Sequence, residues 1–164
     1  MIFLHALVNS LKLPNKKAIF RLNRIGMDIT VVYMFILLFL ASLPSLADQL
    51  TATGGLGDDM NVVFKLIYFF IFYYLPLIVI FFILLSAVAY LGTLAAKMLE
   101  RKLKFSILWK MSAYTTTIPL LLYTGLSFFL QLADLYLLAA TIFTAGLLVR
   151  IITVYPRRNV RKRP

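Results

Sequence analysis

The chain has 164 residues, of which 62% are hydrophobic, and its mean hydropathy is +0.93. About half of the residues are apolar in ordinary soluble domains, so this composition excludes that class and predicts a single all-α membrane domain over residues 1–164. The net charge of +11 would suggest nucleic acid in a soluble protein, but the positions of the basic residues indicate a membrane surface instead. The absence of cysteine excludes disulfides, thiolate metal sites and a cysteine nucleophile.

Residues 1–27 predict amphipathic helices on the cytoplasmic surface of the bilayer. Phe3, Leu7 and Leu11 fall on one helical stripe, and Pro14 is expected to end this first piece. Residues 15–24 resume a helical pattern, with basic side chains among apolar ones. Both pieces therefore have the pattern of interfacial helices.

Four apolar stretches predict transmembrane helices, at about 29–47, 62–96, 111–130 and 135–155. The second contains Leu66–Ala96, which has no charged side chain. Because about 20 residues of helix cross a bilayer core of about 30 Å, this stretch is about ten residues longer than needed. The surplus predicts tilt, a bend at Pro76 or a protruding end. The first stretch, preceded by five basic residues and ending in Ser45-Leu46-Ala47, also resembles a signal peptide with its cleavage site, which is the alternative to a first span.

The basic residues predict the orientation of these spans. Five precede the first span, five lie between the second and third, and six lie at or after Arg150, including the basic tail 156–164. Only Lys65 falls on the other side. The positive-inside rule then predicts a multi-pass protein of the cell membrane with both termini in the cytoplasm.

The sequence predicts no catalytic residues, no cofactor and no metal site. Ionisable side chains are nearly absent from the predicted spans, whereas membrane enzymes retain them at depth for a purpose. His5 is the single histidine, and Asp58 and Asp59 are neighbours in a glycine-rich loop, where they cannot be held across a reacting bond.

A polar stretch in the third span offers a candidate helix kink or solute path. Its residues are Thr115, Thr116, Thr117 and Pro119. Threonine hydroxyls can bond carbonyls one turn back, and Pro119 cannot donate to the carbonyl of Thr115, so the pattern predicts a kinked helix. A path lined by hydroxyls is the alternative.

Basic and aromatic side chains near the cytoplasmic ends are candidate contacts to anionic lipid of the cytoplasmic leaflet or to a protein partner. They are Arg101, Lys102, Trp109, Lys110, Arg150, Arg157 and Arg158. A role in topology alone is the alternative for the loop and tail, and Arg150 can also reach the surface by snorkelling. No stacking platform accompanies the charge, so nucleic acid is not an expected partner. Small residues in spans two and four allow packing within the bundle, to a partner or in a homo-oligomer.

Three stretches carry a resemblance to a known family. They are LPNKK at 13–17, SLP at 42–44, and LWKMSAYT at 108–115 followed by Pro119 and Leu120. With them the chain resembles the Gram-positive multi-pass membrane proteins known as domain of unknown function 1189, some of which are labelled maltodextrin-utilisation proteins, and is distantly similar to Yip-type proteins. The family often has a threonine directly before the span-three proline, whereas Ile118 intervenes here. The resemblance implies a membrane fold and location, and the family has no assigned catalytic residues to carry over.

Together these features predict a non-catalytic membrane protein that acts through partners or lipid. The expected role is an accessory or assembly factor for a transporter or envelope complex, with a partner such as a transporter subunit. The alternative is a small permease or channel subunit that functions as an oligomer, because four short spans enclose little room for a solute.

Overall fold

The computed structural model describes residues 2–51, 61–101, 103–128 and 134–156, except for the side chains of residues 134, 135 and 137. Within these ranges the chain is helical and has no β-sheet. The helices are α1 (Ile2–Leu11), α2 (Lys16–Asn23), α3 (Met27–Thr51), α4 (Val62–Phe69), α5 (Leu75–Met98), α6 (Phe105–Thr115), α7 (Thr117–Ser127) and α8 (Asp134–Val154). The all-α prediction is thus confirmed.

Two of the four predicted spans are helices long and apolar enough to cross a membrane. α3 has 25 residues and a mean hydropathy of 2.2 in its most apolar window. The second is continuous from Val62 to Met98, with 37 residues and a mean hydropathy of 2.6. At 1.5 Å per residue it is about 55 Å long, well beyond a hydrocarbon core of about 30 Å. The apolar part of α8, Leu138–Val154, is shorter.

The long second helix contains a π-helical turn at Phe70–Tyr74, between α4 and α5. The amide of Leu75 donates to the carbonyl of Phe70, five residues back. The turn lies directly before Pro76, whose ring would clash with the carbonyl four residues back, that of Phe72. A wider turn moves that carbonyl aside, so the irregularity expected at Pro76 takes the form of a π-turn.

The third predicted span is two helices, because the α-helix is interrupted at Thr116 between α6 and α7. The break lies three residues before Pro119, and the missing amide of Pro119 leaves the carbonyl of Thr115 without its helical donor. The hydrogen bonds from Thr116 to Ser112 and from Leu120 to Thr116 continue the ladder on either side. Helix α6 also begins at Phe105, six residues before the predicted start at 111.

Helix α6 forms the centre of the fold. Its residues from Leu108 to Thr115 are all buried, and it contacts α1, α2, α3, α5 and α8. A helix that is buried on every face lies inside a bundle rather than on its surface. Helices α1 and α2, which the sequence predicts to lie on the membrane surface, are packed against this inner helix.

Helix α2 is capped at its start by a side chain and is packed against the bundle along one face. The Asn15 side chain accepts a hydrogen bond from the amide of Lys17 at 3.1 Å, which satisfies one free amide of the first turn. Ala18, Ile19 and Leu22 of α2 are buried against the bundle.

Candidate functional site

Two of the basic stretches meet at one end of the bundle, beside the end of α8. The ring of Phe20 in α2 lies 5.7 Å from the ring of Tyr155, just after α8. The guanidinium of Arg101, in the link between α5 and α6, donates to the carbonyl of the same tyrosine. The structure therefore brings α2 and the link between α5 and α6, which both carry basic residues, to the end of α8.

Two buried polar atoms at this end of the bundle lack a hydrogen-bond partner among the described residues. Nε of Arg101 and the hydroxyl of Tyr155 are buried and have no hydrogen-bond partner within the described ranges. The predicted contacts Lys102, Arg157 and Arg158 lie outside the described residues. Arg150 is exposed on the last turns of α8.

Lys110 joins helix α6 to the end of α2. Its ammonium donates to the carbonyl of Asn23 at 2.7 Å and to that of Ile25 at 2.9 Å. These carbonyls lie at and just beyond the end of α2, where a helix lacks internal donors and favours a positive charge. Lys110 is 8% exposed, and its burial lowers its pKa. The ammonium of Lys110, which the sequence suggests as a contact to lipid or a partner, thus donates to carbonyls within the chain.

Trp109 also points into the fold. Its Nε1 donates to Oγ of Ser86 in α5 at 3.1 Å, its ring lies 5.7 Å from that of Phe82, and it is 5% exposed. The bonded indole N–H satisfies the one polar atom of a side chain that is otherwise apolar. Trp109 therefore connects α6 to α5, and it also lines a surface groove.

The predicted threonines lie in a small hydroxyl network between α3 and the third span. Thr117 bonds Tyr33 at 3.0 Å, while Thr115 and Thr116 donate to the carbonyls three residues before them, at 2.8 Å each. A second tyrosine of the same region, Tyr114, bonds Thr30 at 2.8 Å. All three threonine hydroxyls thus have partners within the chain, and Pro119 is buried beside them.

A lateral groove of about 720 Å³ opens between α3 and α5. Met27, Val31 and Phe35 form one wall on α3, and the other wall is formed by two rows on α5. Residues four apart lie on the same face of a helix, so each row is a straight apolar stripe. Trp109 is the floor. The α5 rows consist of Ile78, Phe82 and Ser86, and of Val79 and Ile83.

Sequence reasoning did not identify this groove. The spacing of four along Met27, Val31 and Phe35 is visible in the sequence, but the same spacing occurs on any face of an apolar helix. Only the packing of Trp109 against Ser86 shows which stripes face each other. The tyrosines Tyr33 and Tyr114 were likewise missed, because their partners are 84 residues away along the chain.

In the described residues no three histidine or acidic side chains are grouped so that they could hold a metal ion. Comparison with protein-family models, with curated proteins and with solved structures finds no match to this chain. The family resemblance drawn from the sequence stays a prediction.

Proposed function

We propose that this chain is an integral protein of the cell membrane that acts, without catalysis, by binding a membrane-protein partner or anionic lipid. Its four spans lie at about 29–47, 62–96, 111–130 and 135–155, and both termini face the cytoplasm. Its role is that of an accessory or assembly factor for a transporter or envelope complex.

The observation that carries the proposal is the exposure of the long helix from Val62 to Met98. Only 17% of its most apolar window is buried inside the chain. Phe72, Ile83 and Leu91 are each more than 60% exposed, and they lie along more than half of its length. Exposure of so large an apolar surface to water is unfavourable, so lipid or other helices cover this surface.

Helix α1 supports a position at the membrane interface. Its small and polar residues Ala6, Asn9 and Ser10 face the bundle. Phe3 and Leu4 are exposed, as are Val8 and Leu11 further along the helix. An outward apolar face on a helix at the basic end of the protein is suited to the boundary between headgroups and acyl chains.

The position of the basic side chains supports the orientation. Lys65 lies in the first turn of α4, whereas Lys97 lies at the end of α5, 32 residues along the same continuous helix. At 1.5 Å per residue these two positions are about 48 Å apart, enough to lie on opposite sides of a bilayer. Arg101, just beyond Lys97, contacts Tyr155 at the end of α8, so this basic end of the long helix is the one that the positive-inside rule assigns to the cytoplasm in the proposal.

Single-cysteine labelling tests the topology, and the chain offers a background without cysteine. Lys17→Cys, Lys65→Cys and Lys104→Cys are expressed singly in intact cells and treated with a membrane-impermeant maleimide. We expect labelling of the Lys65 variant from outside, and of the other two only after permeabilisation. Labelling of all three from the same side contradicts the four-span arrangement.

Site-specific photo-crosslinking tests the binding role. A photoreactive amino acid replaces Ile80, which is 58% exposed, or Ala89, which is fully buried and serves as the control. In native membranes we expect the Ile80 variant to form one dominant protein adduct, identified by mass spectrometry, and the Ala89 variant to form none. If Ile80 forms only lipid adducts and the purified protein moves solutes across liposomes, the permease alternative replaces the accessory role.

A further inference from the structure

We propose that the groove between α3 and α5 binds one acyl chain of an anionic phospholipid, with the lipid phosphate at Arg24 and Lys104. This rests on the proposed position of the chain in a membrane. It assigns the lipid to a place that the sequence did not predict.

The chemistry of the groove selects an apolar occupant. Ser86 and Trp109 supply the only side-chain polar atoms among the residues that line it. Ser86 donates to the carbonyl of Phe82 at 2.8 Å and accepts from Trp109 at 3.1 Å, so both groups are already paired. A polar solute would find no partner here and would lose its hydration.

The dimensions of the groove favour a lipid chain over a helix. Each wall extends over nine residues, from Met27 to Phe35 and from Ile78 to Ser86, and eight steps of 1.5 Å give a length of about 12 Å along the helix axis. Tyr74 lies one turn before Ile78 on the long helix and donates to the carbonyl of Phe35 at 2.9 Å, so its side chain crosses to α3 at the end of the groove away from Met27. A spanning partner helix needs about 30 Å of open length and is about 10 Å wide. A single acyl chain can enter a short groove that is closed at one end.

The charge at the open end favours an anionic headgroup. Arg24 lies three residues before Met27, and Lys104 lies two residues before Ser106, whose hydroxyl is 3.6 Å from the Met27 sulfur. Both cations are exposed, as is Asp28, the acid that follows Met27. With two cations and one acid, the open end of the groove near Met27 has a net positive charge. This end of the bundle is the one proposed to face the cytoplasmic headgroups.

Trp109 is the only tryptophan in the chain and forms the floor of the groove, so its fluorescence reports directly on an occupant. The full chain is reconstituted in phosphatidylcholine vesicles containing a tenth of brominated lipid, either phosphatidylglycerol or phosphatidylcholine. Bromine on the acyl chains quenches a tryptophan that they touch. At low salt we expect brominated phosphatidylglycerol to be enriched at the groove about fivefold for each basic residue that it contacts.

Two sets of variants separate the headgroup from the chain. Arg24→Gln with Lys104→Gln should abolish the preference for phosphatidylglycerol, whereas Lys65→Gln should retain it. Val79→Phe with Ile83→Phe fills the groove and should reduce quenching by either lipid, whereas Leu91→Phe, on the same helix outside the groove, should not.

Equal quenching by the two lipids, or a preference that survives loss of both cations, overturns the proposal. The cysteine-labelling topology is measured on the same variants. If the topology is as expected and the lipid preference is absent, only the groove assignment fails. If the topology itself is wrong, the proposed function fails with it.

Discussion

The ammonium of Lys110 lies 2.7 Å from the carbonyl oxygen of Asn23, at the end of α2. A charge in the middle of the most buried helix therefore holds the N-terminal segment against the bundle. Lys110 is 8% exposed, and two of the three N–H donors of its ammonium can be satisfied by the carbonyls of Asn23 and Ile25, which is how a lysine is accommodated away from water.

Lys110→Met should loosen the attachment of α2. It removes the charged donor from the carbonyls of Asn23 and Ile25, and a hydrogen bond to a charged group contributes about 1.5–3 kcal/mol. We expect a lower melting temperature in detergent and faster proteolysis within residues 12–26. Lys97→Met, which removes an exposed charge, is the matched control. Identical proteolysis of both variants would show that Lys110 does not hold α2.

Gly92→Leu should separate α5 from α8. A Cβ at Gly92 would lie 2.9 Å from Cδ2 of Leu148 and 3.6 Å from Cδ2 of Leu108, so a larger side chain must push the helices apart. Overpacking of this kind costs about 1–3 kcal/mol. Gly125→Leu is the control, because nothing lies within 4 Å of the corresponding Cβ there. We expect the loss of thermal stability in the first variant alone; equal losses would contradict the close approach of α5 and α8.

Tyr33→Phe and Thr117→Val should show energetic coupling in a double-mutant cycle. Their hydroxyls bond each other at 3.0 Å between α3 and α7. Hydrogen bonds between helices in membrane proteins contribute about 0.6 kcal/mol on average, so a coupling of about that size is expected in reversible unfolding. The same cycle with Tyr33→Phe and Thr141→Val, on the exposed side of α8, should be additive. Coupling of equal size in both cycles would exclude a specific bond.

Pro119→Ala should join α6 and α7 into one helix. The new amide can donate to the carbonyl of Thr115, which the proline leaves without a helical donor. Spin labels at Ser106→Cys and Leu126→Cys measure the end-to-end distance, which is about 30 Å in a straight helix. We expect a longer and narrower distance distribution in the alanine variant, and no change in the control Ile118→Ala. An unchanged distance would mean that Pro119 does not cause the break.

The sequence by itself determined the features that depend on neighbouring residues. Asn15 caps α2, Pro14 separates the first two helices, and Pro76 and Pro119 each coincide with an irregular turn. The long helix could be predicted because its apolar run admits no other conformation in lipid. These signals act over one or two turns of helix, so the order of residues is sufficient to reveal them.

Only the tertiary structure decided which faces meet. Lys110 and Trp109 are typical interfacial residues by type, yet both point inwards, because α6 is packed among helices from both halves of the described chain. The groove exists because Trp109 holds α6 behind the gap between α3 and α5. Such relationships depend on the rotation and register of helices that are distant in the chain, and an almost uniformly apolar helix contains little periodicity from which to predict them.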